Sequence, residues 1–92
     1  MQSRVDALPG GDLIERGFAD LAKGVCSVEA LLVSIGAPRL GRLGLPVSDP
    51  IPSPEMRLYE QLQAQHSDSA HSRYNALIRR LVGFERAAEC VK

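Results

Sequence analysis

The stretch SIGAPRLGRLGLP, residues 34–46, decides how this chain is built. Gly36 and Gly41 have the GxxxxG spacing of a phosphate-cradling loop, which would make the chain a nucleotide binder. A P-loop also needs a strand before its first glycine. After its second it needs a Lys followed by Ser or Thr, which reach the phosphates and the magnesium ion. Arg42 and Leu43 stand there instead, and the residues before Gly36 have helical periodicity. Gly36 follows the last periodic apolar residue and Pro38 lies two positions further on, the pattern of a helix closed by a left-handed glycine and barred from continuing. Residues 38–44 are therefore read as a single helical turn that brings Leu40 and Leu43 to the core and is closed by Gly44. A helix-turn-helix is excluded on the same residues. Gly41 and Gly44 fall where a recognition helix needs strong helix formers, and Pro46 leaves too few turns to lie along a major groove.

Upstream, VEALLVSI at 28–35 has Val28, Leu31, Leu32 and Ile35 on one face and Ala30 and Val33 on another, so it reads as a short buried helix at the centre of the core, capped by Ser27. Before it, Asp12 and Glu15 have the spacing of a capping box, and Ile14, Phe18, Leu21, Ala22 and Val25 recur at helical intervals. A first helix is predicted over about 13–23, stopped by Gly24, with Gly17 marking close approach by a neighbouring helix. Residues 1–11 are read as a flexible lead-in.

Downstream, residues 45–54 form an extended crossover rich in proline, with Pro46, Pro50, Pro52 and Pro54 inside nine positions. At about 3.1 Å per residue it reaches roughly 28 Å, enough to carry the second half of the chain across the first. Ser53 as cap, Pro54 at the first position and Glu55 in the first turn start a third helix, in which Leu58, Tyr59 and Leu62 form the apolar side. After a break at HSDS, with Asp68 as cap, the strongest periodic signal in the chain follows. Ala70, Tyr74, Leu77, Leu81, Phe84, Ala88 and Val91 share a band roughly 100° wide on one long C-terminal helix. The expected fold is all-α: a small single domain over residues 1–92, with a four-helix arrangement, a long last helix and a proline-rich extended crossover.

Composition narrows the function. The 92 residues are 45 % apolar with zero formal net charge, as in a folded domain and unlike a basic nucleic-acid coat. The four aromatic residues, Phe18, Tyr59, Tyr74 and Phe84, are few for a base-stacking platform. The longest uninterrupted apolar run, 30–33, is far below the roughly 20 residues of a membrane span. The N-terminal residues carry an acid and a turn rather than the apolar stretch of a signal peptide. Cys26 and Cys90 are read as free thiols of a reducing compartment, so a cytoplasmic location is expected.

His66, Asp68, His71, Tyr74 and Asn75 form the densest group of chemically capable side chains. Two histidines five apart do not share a helical face, so no metal site is expected there, while Asn75 one turn beyond His71 is placed to hydrogen-bond it. Neither cysteine has a histidine close in sequence to activate it, so no enzyme activity and no cofactor are expected. Charge is distributed in blocks: residues 36–48 carry +2 and 71–84 carry +3, against −3 over 49–70 and −2 over 1–35. Arg39, Arg42, Arg73, Arg79 and Arg80 are thus candidates for an anion or nucleic-acid patch, with pairing to Glu60, Glu85 or Glu89 as the plainer reading. Phe84, Ala88 and Val91 are candidates for a partner interface, since the last helix is long beside its neighbours. The leading expectation is a small soluble protein-protein interaction module, self-associating through helices; the alternative is an accessory nucleic-acid binder using the arginines.

Overall fold

A computed structural model describes residues 7–90. From residue 11 on, the described helices follow in order: α1 (Gly11–Ala22), α2 (Val28–Ile35), α3 (Ala37–Arg42), α4 (Pro54–Gln65) and α5 (Ala70–Cys90). Among the described residues there is no strand. The short α3 is the helical turn expected after Gly36, and α1, α2, α4 and α5 fall on the segments read as helical.

The centre is α2. Ala30, Leu31, Leu32 and Val33 are all buried, and the helix packs against α1, α3, α4 and α5. Eight residues long, it has almost no solvent-facing side, which accounts for its nearly continuous apolar sequence. Its start is fixed by Ser27, whose Oγ accepts the Ala30 N–H at 3.1 Å and donates to Asp20 Oδ2 at 2.6 Å, tying α2 to the end of α1. Against this centre lie Ile14 from α1, Leu40 from α3, Leu58 and Leu62 from α4, and Leu81 and Phe84 from α5.

Gly17 sets the spacing of α1 and α2. A Cβ there would overlap Val33 Cγ2 and the Glu29 carbonyl. The close approach expected from a mid-helix glycine is present, and one of the two obstacles is backbone.

Several ends differ from their sequence reading. The first helix begins at Gly11, two residues early, because Gly10 adopts φ 76° and lets the chain turn into the helix without a side-chain cap. Asp12 is therefore already inside the helix, and its carboxylate pairs with Arg80 at 3.3 Å. At the other end Gly24 has φ 76° and stops the helix as expected, which leaves Val25 outside the apolar face and 45 % exposed. Gly36 does not take a left-handed conformation: its φ is −84°, and its N–H still donates to Leu32 O. Its requirement is space, because a Cβ would come within 2.9 Å of Leu81 Cδ1 and 3.0 Å of Glu85 Oε2. Ser53 sits at φ 50° and makes no cap bond, so Pro54 alone pre-sets the first turn of α4. Of the expected lead-in over 1–11, residues 1–6 lie outside the described residues, whereas Leu8 packs against the core.

The crossover is pinned at one point. Ile51 N–H donates to Ser34 Oγ at 3.0 Å, and that buried hydroxyl donates in turn to Ala30 O at 2.9 Å. Leu45, Val47 and Ile51 lean on the core beside it. The chain then returns through α4 and the 21-residue α5, about 31 Å at 1.5 Å per residue, along a body whose longest extent is 38 Å. Tyr59 and Tyr74 meet edge to face across α4 and α5, their ring centroids 5.8 Å apart. Burial, with the Glu55 carboxylate adding to it, raises the Tyr74 hydroxyl above its ordinary value.

Two glycine substitutions should separate packing from propensity. Gly17→Ala should cost about 2–3 kcal/mol in denaturant unfolding, because a backbone carbonyl cannot rotate away as a side chain would. Gly83→Ala, where a Cβ meets nothing within 4 Å, should stabilise by roughly 0.5–1 kcal/mol through helix propensity. Ser34→Ala should cost about 1–3 kcal/mol by orphaning the Ile51 N–H, and should accelerate hydrogen exchange at that amide.

Candidate functional site

The structure divides the five candidate arginines. Helix α5 turns 100° per residue, so Arg73 and Arg80 fall on one edge of its buried stripe while Ile78, Val82, Glu85 and Glu89 fall on the other. Arg80 faces α1, where it pairs with Asp12, and Arg73 donates from Nε to Ser69 Oγ at 2.9 Å. Arg39 and Arg42 belong to α3, on the opposite edge, and Arg79 is exposed beyond them on α5. Asp68 and Ser69 precede α5, and the bonds recorded there run through Ser69 rather than through the expected Asp68 cap.

The expected interface residues have a different fate. Phe84 is 0 % exposed and Ala88 is 9 % exposed. Both are used up in the chain's own core, where Phe84 lies beside Gly10 at the start of α1. The stripe of α5 is therefore not in excess at these two positions, and neither is open to a partner. Val91 lies outside the described residues.

Where α3 meets α5 there is a groove. Two adjoining cavities of about 270 and 400 Å³ share Arg39, Arg42, Val82 and Glu85 in their linings. Leu43 and Ile78, each half-buried, supply apolar surface with Val82. Arg42, Arg86 and Glu89 stand exposed at the rim.

Glu85 is the unusual member. Its side chain is only 8 % exposed, and its Oε1 accepts from Arg39 Nη1 at 3.3 Å while Arg39 itself is 67 % exposed. The pair spans the depth of the groove, with the carboxylate below and the guanidinium reaching over it from α3. Gly36 makes room for this, since the space its Cβ would need borders Glu85 Oε2. Sequence reasoning named Glu85 only as a partner for surface arginines. Its position at the edge of the apolar stripe, one residue after Phe84, is the signal that marks it as an inward-facing carboxylate.

The histidine region is dispersed. His66 is half-buried at the end of α4, while His71 is exposed on α5 and bonds Asn75 at 3.2 Å, the contact expected from their spacing. Among the described residues no three His, Cys, Asp or Glu side chains converge to hold a metal ion. Both cysteines are free and exposed. Among the described residues no helix is long and apolar enough to cross a membrane.

Among the described residues the fold is all-helical, with α2 in contact with α1, α3, α4 and α5 and a mixed-charge cleft between α3 and α5. Comparison with family models, with curated protein sequences and with solved structures finds no significant match to this chain.

The Arg39–Glu85 pair should show coupling in a double-mutant cycle with Arg39→Ala and Glu85→Gln. A coupling of about 1 kcal/mol or less, shrinking as salt is added, is expected because one partner is largely in water. Arg39→Ala alone should cost more than the same change made beside Glu85→Gln, since it leaves the carboxylate without its cation.

Proposed function

We propose that the chain is a small cytoplasmic, non-enzymatic interaction module that engages another protein through the groove between α3 and α5. The observation carrying this reading is the lining of the groove: half-buried Leu43, Ile78 and Val82 below, charges of both signs around them. Apolar side chains bordered by charged ones are common in protein-binding surfaces, in which one or two inserted side chains supply most of the affinity. A second cavity, about 300 Å³ between α1 and the crossover, has Phe18 and Leu21 in its lining and no arginine.

Nucleic acid fits this surface less well. A phosphate backbone is best neutralised by cations along one track, and here Arg73 and Arg80 stand on one side of the buried stripe of α5 while Arg39 and Arg42 stand on α3 at its other side. Arg80 and Arg39 are, in addition, each engaged by a carboxylate of the chain.

The test is affinity capture with the tagged chain, with and without nuclease, comparing the native protein with Val82→Asp. A protein that remains bound after nuclease treatment and is lost with Val82→Asp is the expected result. Capture that disappears with nuclease in both forms would replace this reading with the nucleic-acid one.

A further inference from the structure

The base of the groove holds a carboxylate with acceptor capacity to spare. The side chain of Glu85 is only 8 % exposed, and the bond from Arg39 Nη1 reaches its Oε1 at 3.3 Å, longer than the roughly 2.7–2.9 Å of a close charge-assisted bond. Its Oε2 lies against Gly36, which has no side chain and whose N–H is given to Leu32 O. An ionised carboxylate offers about four lone-pair sites, and a buried one gains from every donor that fills them. The cation above is loosely held. Arg39 is 67 % exposed on the six-residue α3, whereas Glu85 follows the buried Phe84 on α5. Beside this pair the larger of the two adjoining cavities, about 400 Å³, has Ile35, Pro38, Ile78 and Val82 in its wall.

We propose that this cavity binds a free α-amino acid with an aliphatic side chain, leucine being the model. The inference goes beyond the reading of the groove as a protein-binding surface and does not rest on it, because it concerns the Arg39–Glu85 pair at the base. At neutral pH such a ligand carries an ammonium and a carboxylate on one carbon. Its two charges complement the pair in the groove: the ammonium brings three donors to Glu85, and the carboxylate takes the parallel N–H groups of the Arg39 guanidinium. One long ion pair is exchanged for two close ones. The aliphatic side chain lies along Ile35, Ile78 and Val82, where it withdraws apolar surface from water.

The mixed sign of the lining is what selects a zwitterion. An anion such as phosphate is drawn to Arg39 and Arg42 but meets the Glu85 carboxylate at the base. A plain amine suits Glu85 but approaches it past Arg39, Arg42 and Arg86. A ligand of zero net charge with both signs close together meets neither conflict. Arg42, Arg86 and Glu89 stand in solvent at the rim, where water and salt screen them, so the buried carboxylate and its partner dominate the choice.

Titration of the isotope-labelled full chain with L-leucine to about 20 mM, followed by amide NMR, brackets a dissociation constant on the order of 1 mM, the scale for about nine non-hydrogen atoms in an open groove. Saturable shifts at Gly36, Arg39, Val82 and Glu85 are expected. Leucinamide, which lacks the carboxylate, and N-acetyl-leucine, which lacks the ammonium, should each bind at least about tenfold more weakly. Glycine, which lacks the side chain, should do the same. Glu85→Gln keeps the shape of the base and removes its charge, and should weaken leucine at least about tenfold with the circular dichroism unchanged. Arg39→Gln, at a largely exposed position that the fold does not need, should weaken it as much and keeps the test valid if Glu85→Gln fails to fold. Absence of saturable shifts with leucine, equal binding of leucinamide or N-acetyl-leucine, or undiminished binding by Arg39→Gln would each overturn the proposal. These titrations contain no second protein, so their failure is distinct from failure of the protein-binding reading, which the nuclease comparison decides.

Discussion

The distance between α1 and α2 is set where Gly17 meets the Glu29 carbonyl and Val33. Helices ordinarily pack with axes 8–10 Å apart, depending on the side chains at the crossing, and glycine at the crossing brings them to the near end of that range. Everything else is arranged around the consequence. With α1 drawn close, an eight-residue helix can be covered on one side by a twelve-residue one, which leaves its remaining sides for α4 and α5. The bond chain from Ala30 through Ser27 to Asp20 fixes how far α2 can slide along α1. A helix so short would be marginal alone in water, and its order here is tertiary in origin.

Ser34 shows how the crossover is held without becoming part of a sheet or helix. A buried hydroxyl must find partners, and this one has two: it returns its proton to Ala30 O, as a helical serine commonly does, and offers its lone pair to Ile51 N–H. The backbone group that a proline-rich segment could least easily satisfy by itself is thus taken up by the central helix. Asp49 and Ser53, on either side of Ile51, both sit at positive φ, a region that an aspartate enters more readily than most side chains.

Much of this was legible from the residues alone. Apolar spacing located α2, α4 and α5 to within a residue at the described ends, since burial on a helical face leaves a direct periodic trace. Gly24, Gly44 and the Ser27 cap were legible for the same reason: each acts within its own turn. What could not be read were requirements set by residues distant in sequence. Gly36 sits where a terminating glycine belongs, yet its conformation is open to any residue and the demand on it comes from Leu81 and Glu85. Asp12 and Glu15 have capping spacing, but Gly10 starts the helix earlier. Phe84 and Ala88 sat on a stripe that seemed longer than its partners required, because the number of residues in α2 conveys nothing about how centrally it is placed. The groove was hidden for the same reason: α3 and the end of α5 are some forty residues apart, and only the crossover and return bring them together.

The vertical order of charge in the groove has a consequence for what can enter it. Glu85 lies at the bottom with little water around it, Arg39 passes over it, and Arg42, Arg86 and Glu89 are in solvent at the top. Charges interact more strongly as water is withdrawn, so the lowest group weighs most even though it is a single carboxylate. An entering chain that is anionic throughout meets attraction at the mouth and repulsion at the base, whereas one that is apolar at its tip and anionic only at its shoulders meets neither conflict. For the proposed groove, selection would therefore follow the depth at which a ligand carries its charge, and two ligands of equal net charge would not be equivalent.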